Sequence, residues 1–497
     1  RSTRRHTLFP YTTLFRSRLW TCFSSLLLAL SLVASVSADD RLNVLWIVSD
    51  DLGPELGCYG YEGVATPNLD RLAGEGVRFS RAFSASPVCS ASRTSFITGK
   101  YQISIGGFHH RTRKIEPLPD PVRPVTEIFR DAGYWITNAT ASEELDRNGK
   151  TDYNFEFDAK EMFDGTDWRG RAEGQPFFSQ VQIFQPHRSF ETSEKTGEGV
   201  EIPPFYPEHP VTRKDWANYL ASIELLDRKV GMILDRLEAD GLADNTIVVF
   251  FGDHGRPHVR GKQWLYEGGI HTPLIVRWPG KLEPGTVRDG MVSLIDLAPT
   301  CLAAAGIESP DWFDGTDFLA PGFQGHEEIF AARDRCGDAP DRVRAVRTER
   351  WKYIRNFEPG LSFAQHSGYK KMQYPVLTLM SVMNEQGRLK GPQAAWFAET
   401  KPVEELYDLE ADPWEMKNLA SDPAHAETLA QLRDALETWL EETGDQGAET
   451  EGDADYMRAL MAEKWAAYER VMKRRKLSPD LSDRAYLEWW KKELGLK

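Results

Sequence analysis

The chain has 497 residues, of which 41% are hydrophobic and 27% charged, with a formal net charge of −15. That size and composition describe a globular protein with a sizeable core, in one large domain and a smaller one or in two to three ordinary domains. The acidic balance argues against a nucleic-acid binder, which would carry a basic stripe, but leaves room for a locally basic pocket that takes an anionic substrate.

The stretch Thr7–Ser17 resembles the translation of a sequencing-adapter oligonucleotide, so residues 1–17 are set aside as an artefact. Residues 18–38 read as a signal peptide: Arg18 is the basic region, Phe23 to Val36 the apolar run, and Val36-Ser37-Ala38 the small-residue cleavage pattern. The run is short for a membrane span and no later stretch is longer, so the mature protein is expected to be exported, periplasmic or secreted, without a membrane anchor. Loss of the signal removes Cys22. Cys58, Cys89, Cys301 and Cys336 then admit two disulfides, or one if Cys89 serves another purpose.

From Leu42 the chain alternates strand and helix signals. The runs LNVLWIVSDD, PFFSQVQIFQPH, NTIVVFFGDHG and TPLIVRWPG are near-continuous apolar segments bounded by polar turns, the pattern of buried parallel strands. Between them, Tyr219, Ile223, Leu226, Val230, Ile233 and Leu237 recur at helical spacing and stop at Gly241. This predicts an α/β fold: a large mixed, mostly parallel sheet with helices on both faces, over residues 39–325. In such sheets sites form beyond the carboxyl ends of the strands, so Asp50, Asp51, His187, Asp253 and His254 are expected to converge.

The second half changes character. AVRTERWKYIRNFE and EELYDLEADPWEMKNLA read as short strands, followed by a helix around Ala424 to Glu442, which predicts a smaller α+β domain over residues 326–445. Residues 446–497 read as an acidic linker and a helical tail.

The segment SPVCSASRTSFITGK carries the most specific signal. It places Cys89 in a run too polar for an apolar core, with Arg93 four residues on. Cys89-Ser90-Ala91-Ser92-Arg93, followed by Thr98-Gly99, resembles the signature of type I sulfatases of the alkaline-phosphatase-like superfamily. The resemblance implies that Cys89 is oxidised to Cα-formylglycine by a formylglycine-generating enzyme during maturation. The hydrated aldehyde would then attack sulfur with one hydroxyl, and the other would release sulfate by elimination.

The resemblance also implies a divalent cation, calcium in most relatives and magnesium or another divalent ion as alternatives. Asp50, Asp51, Asp253 and His254, together with Cys89, match its metal site; His254 is the borderline donor, since many relatives have Asn there. Arg93 matches the arginine that supports the formylglycine, and Lys262 in GKQWLYEGG matches the sulfate-binding lysine. Lys150 matches the lysine of a Lys-x-His pair whose histidine is replaced here by Asp152, and His187 matches the other active-site histidine. The resemblance runs from about Leu42 to Ala420, and the segment Asp253–Gly269 together with the His109-His110-Arg111 run after the signature looks closest to the heparan N-sulfatase branch. It implies hydrolysis of a sulfated carbohydrate.

Taken singly, each piece has an ordinary reading. Asp50-Asp51 is a solvated strand end, Asp253-His254-Gly255 a turn, Lys262 a surface lysine and Cys89 a thiol; their joint order carries the reading. Two alternatives stand beside it: a phosphonate or phosphate monoester hydrolase of the same superfamily, and a non-catalytic binder of sulfated glycans.

Overall fold

The computed structural model describes residues 41–447, 451–452 and 454–496. The segments read as artefact and signal peptide lie outside the described residues.

Strands β1 (Asn43–Ser49), β2 (Val77–Phe83), β3 (Trp135–Thr140), β4 (Phe177–Ile183), β5 (Thr246–Gly252), β6 (His271–Arg277), β7 (Thr286–Arg288) and β8 (Val292–Ser293) form one sheet. Its order is β3-β4-β1-β5-β6-β2-β7, with β8 also pairing β2. Every pairing is parallel except those of β6, which runs antiparallel to both β5 and β2. The parallel reading of TPLIVRWPG is therefore corrected: a strand buried on both faces is apolar throughout whichever way it points.

Both faces are covered because alternate residues point to opposite sides. Leu45 and Ile47 of β1 join the core under the helices Pro67–Glu75 and Pro210–Ala239. Val44, Trp46 and Val48 join the core that also holds Phe96, Phe129 and Leu302, from helices on the other face.

A second sheet holds β9 (Ile329–Arg333), β10 (Val343–Arg347), β11 (Trp351–Asn356) and β12 (Glu404–Asp408), all antiparallel, in the order β12-β11-β10-β9. The helix Ala426–Thr443 buries Leu432, Leu436 and Trp439 against Val346, Tyr353 and Leu406. The tail forms two further helices, Ala454–Arg474 and Asp483–Glu493.

Cys58, Cys89, Cys301 and Cys336 are all unpaired, which corrects the disulfide expectation. Cys301 instead accepts a hydrogen bond from Trp46 Nε1 at 3.2 Å inside the core, and Cys336 packs on Val88 and Ala91. Asn138, in a chance Asn-Ala-Thr sequence, is buried in β3, where its side chain donates to Gly149 O.

Candidate active site

The parallel register fixes the first feature of the site. Ser49 at the end of β1 lies beside Ile183 of β4 and Gly252 of β5, so three chains leave the sheet at the same edge. Asp50 N donates to Ile183 O at 3.0 Å and Asp253 N to Ser49 O at 2.9 Å, which extends the ladder by one residue. Asp51 then turns into the left-handed region at φ +64°, an uncommon conformation for a residue other than glycine, and donates its N–H to Asp253 Oδ1 at 2.9 Å. Gly252 is required there, because a Cβ would lie 2.3 Å from Thr272 Oγ1.

Cys89 is the first residue of the helix Cys89–Thr98, which follows the extended residue Val88. All ten residues of this helix are buried, although six of the ten are Ser, Thr or Arg. The hydroxyls make that possible: Thr94 donates to Ser90 O at 2.8 Å, Ser95 to Ala91 O at 3.0 Å and Thr98 to Thr94 O at 2.6 Å. The polar run is thus an internal helix, which hydrophobicity alone does not reveal. Gly99, at φ +63°, ends the helix, and a Cβ there would strike the Phe313 ring.

Arg93 stands one turn after Cys89. Its Nε donates to Asp253 Oδ2 at 3.0 Å, one Nη donates to Gln182 Oε1 at 2.8 Å and the other lies 3.6 Å from Asp50 Oδ1. Gln182 was not singled out from the sequence, because a glutamine inside an apolar strand gives no pattern of its own.

The remaining residues close around the Cys89 thiol. Lys262 Nζ donates to Asp51 at 2.7 and 2.9 Å and lies 3.3 Å from Cys89 Sγ. His254 Nε2 lies 3.4 Å from the same sulfur and 3.1 Å from Asp51 Oδ1. Lys150 Nζ donates to both oxygens of Asp50, at 2.7 and 2.9 Å. His187, beyond β4, faces Asp51 Oδ2 at 3.9 Å through Nε2, while its other ring nitrogen meets Arg188 O at 2.5 Å. Thus Asp50, Asp51, Cys89, Arg93, Lys150, His187, Asp253, His254 and Lys262 are brought into one cluster.

The electrostatics follow from burial. Burial opposes ionisation of Asp51, yet Lys262 and the neighbouring imidazoles override it and hold that carboxyl far below the usual range. Asp253 is pushed up, first by burial and then by Asp50 beside it. Burial and then Lys262 lower His187 below an ordinary imidazole, while Asp51 and Asp50 pull the other way.

Three carboxylates packed out of water, with Asp253 destabilised as an anion by its neighbour, fit a hard divalent cation. His254 fits the same set. Its Nδ1 lies 3.0 Å from Gly255 O, a carbonyl that only an N–H can satisfy, which leaves Nε2 as the nitrogen an ion would take in place of a proton; without the ion, burial is overcome by Asp253 and Asp51, which hold the imidazole well above its usual range. Asp50, Asp51, Asp253 and His254 would hold the ion.

Above the cluster opens a cleft of about 590 Å³ whose walls include Lys150, His187, Lys262, Phe184 and Tyr369. Two further residues come into view here. One ring nitrogen of His110 lies within 4.8 Å of both Cys89 Sγ and an Asp152 oxygen. Arg111 grips Asp152 through three hydrogen bonds, at 2.9, 3.0 and 3.2 Å. Asp152, at the position of the expected histidine, therefore serves as an ion-pair partner rather than a proton carrier. The His-His-Arg run at 109–111 was the available signal, but spacing alone gave it no direction.

Comparisons with known proteins agree with this arrangement. Residues 42–307 match the family model described as Sulfatase, and residues 252–364 match that described as N-sulphoglucosamine sulphohydrolase, C-terminal. An ulvan-active sulfatase of Formosa agariphila is 34% identical over 462 residues, covering 82% of this chain and 76% of that protein. The N-sulphoglucosamine sulphohydrolase of Homo sapiens is 27% identical over 486 residues, covering 84% and 93%. A protein solved with its substrate D-glucosamine-2-N,6-O-disulfate superposes with a TM-score of 0.58 at 17% identity, covering 82% of this chain and 99% of that one, a likeness of fold.

Proposed function

The chain belongs to the sulfatase family, in its N-sulphoglucosamine sulphohydrolase-like branch, and from that premise we propose that it is an exported hydrolase of sulfate esters or N-sulfates on a sulfated carbohydrate. We further propose that Cys89 is converted to formylglycine by a formylglycine-generating enzyme, and that Asp50, Asp51, Asp253 and His254 hold a divalent cation, calcium by the hardness of the three carboxylates.

The observation that carries this reading is the setting of Cys89. Its side chain sits at the start of a buried helix, against Lys262 of the cleft lining, with that ammonium at 3.3 Å and the His254 imidazole at 3.4 Å. A disulfide or packing thiol needs neither.

The hydrated aldehyde supplies an oxygen nucleophile for sulfur, and the bound cation supplies charge that polarises the sulfate oxygens. The chain's own groups do the rest. Lys262 and Lys150, each already paired with a carboxylate, present their remaining N–H donors to sulfate oxygens. Arg93 holds Asp253 and the base of the site in place from below. His187, at the cleft wall, gives a proton to the departing sugar oxygen or nitrogen.

The test joins chemistry to modification. The mature protein is assayed on D-glucosamine 2-N-sulfate, N-acetylgalactosamine 6-sulfate and sulfated ulvan oligosaccharides, and the Cys89 peptide is weighed. Sulfate release with a formylglycine mass at Cys89 supports the reading. Active protein carrying only unmodified cysteine rejects it. Faster cleavage of a matched phosphonate ester would favour the phosphonate hydrolase instead.

A further inference from the structure

The described part of the C-terminal tail closes on the cleft. Asp445 accepts from Arg342 at 2.6 Å and from Arg344 at 2.8 Å. Glu451 accepts from Arg335 Nε at 2.6 Å, Thr112 Oγ1 at 2.9 Å and Arg113 N at 2.8 Å. The Arg335 and Glu451 side chains are 4% and 2% exposed, so this anchor is out of water. The anchor fixes the helix Ala454–Arg474, which packs on the helix Gly368–Gln373 and brings Lys464 and Ala467 into the cleft wall beside Tyr369. The tail lies beyond both matched segments, which end at residues 307 and 364.

Lys464 is poorly compensated where it stands. Among the described residues, the nearest carboxylate to its ammonium is that of Glu463, at 3.8 Å. Glu463 is itself engaged by Arg113. Burial, and then Arg113, Arg335 and Arg111, disfavour the Lys464 charge, and Asp338 opposes them. Arg111, on the same cleft, keeps a side chain 56% exposed while its guanidinium holds Asp152. The cleft lining as a whole carries Arg111, Lys150, Lys262 and Lys464 against Asp50, Asp152 and Asp338, a balance that favours an anion from outside.

We propose that Lys464, with Arg111, forms a second anion subsite at the cleft wall, taking a further sulfate or carboxylate on the substrate saccharide besides the group that is cut. The subsite rests on the sulfated-carbohydrate reading above. It makes the tail a determinant of which saccharides are accepted.

The test uses a matched pair of competitors, D-glucosamine 2-N-sulfate and D-glucosamine 2-N,6-O-disulfate, against whichever saccharide the screen above selects, with the full-length mature enzyme. In the wild type the disulfate binds more tightly, and its advantage shrinks as salt rises. Lys464→Gln is expected to reduce the ratio of the two affinities about 3- to 10-fold, the size of one partly exposed charge-assisted contact. Lys464→Arg should restore most of it. A ratio unchanged in Lys464→Gln, or lost equally in Lys464→Arg, overturns the subsite while turnover stands. Turnover of no sulfated saccharide at all overturns the parent reading and the subsite with it.

Discussion

Arg93 and Asp253 are joined at 3.0 Å with both side chains shut off from water, which ties the signature helix to the end of β5. The same guanidinium reaches Gln182 of β4 and approaches Asp50 after β1, so one residue spans the three chain segments that build the floor. Its removal should therefore act on folding as well as on turnover.

Arg93→Met is expected to destabilise the chelated protein by about 3–5 kcal/mol, since it leaves Asp253 and Asp50 without their buried countercharge. Urea midpoints with unchanged slope measure this. A loss under about 1 kcal/mol would mean that the carboxylates protonate or relax at little cost.

Cation binding should show in stability as well as rate. Calcium at 100 times its dissociation constant should add about 2.7 kcal/mol to the wild type, and the melting temperature should climb with concentration. Asp50→Asn and Asp253→Asn should shift that curve to higher calcium. A melting temperature indifferent to calcium, magnesium and chelator alike would contradict the assigned ligands.

His187 and Lys262 should separate by leaving group. Lys262→Ala should cost on the order of 10²–10³ in kcat on both an aryl sulfate and a sugar sulfate, because it removes a donor to the sulfate itself. His187→Ala should spare the aryl substrate, whose phenolate departs unaided, and damage the sugar substrate. Equal losses for His187→Ala on the two would leave it as a sulfate binder.

Lys370 provides a pH test away from the chemistry. It is buried against Trp264 and Tyr374, and burial, then Arg333, brings its ammonium down to about 7. The folded pKa lies below the unfolded value near 10.4, so the stability is present above that value and is lost as pH falls toward 7. Lys370→Met lacks this term. Wild-type stability should fall relative to the variant by up to about 1.4 kcal/mol per pH unit between pH 10 and 7, and the two curves should run parallel below. Parallel curves throughout would show that Lys370 stays charged and solvated.

The anchor of the tail can be cut without touching the cleft floor. Glu451→Gln leaves Arg335 buried without its carboxylate and should release the helix Ala454–Arg474. Hydrogen exchange should rise along that helix while β1 and β5 stay protected. Unchanged exchange in the tail would show that other contacts hold it.

The sequence was most legible where an apolar run ends in a charged residue. The ends of β1, β4 and β5 announced Asp50, Asp51, His187, Asp253 and His254, because parallel strands deliver their carboxyl ends to one edge. Strand direction was not legible, as β6 shows: an apolar run is the same read either way. The signature helix looked too polar to be internal because its hydroxyls find partners within their own helix, and no hydropathy scale counts that. Gln182 and Lys464 were out of reach for a different reason. Each acquires its place through a contact between segments distant in the chain, and the acidic stretch ahead of Lys464 resembles any solvated linker until Arg335 is seen beneath Glu451.

Burial of the signature helix also imposes an order of events. Cys89 is 1% exposed, and the chain on either side of it is locked into the interior by its own hydrogen bonds. An enzyme that modifies Cys89 must reach its side chain, and the folded helix buries it with all its neighbours from Ser90 to Thr98. The proposed conversion of Cys89 would therefore have to precede folding, and the two processes would compete for the same chain. Protein that folds first is stranded: adding the modifying enzyme later cannot repair it without unfolding. The active fraction of any preparation is then a record of which process was faster during synthesis, and a variant that folds more quickly can yield less active enzyme while being the more stable protein.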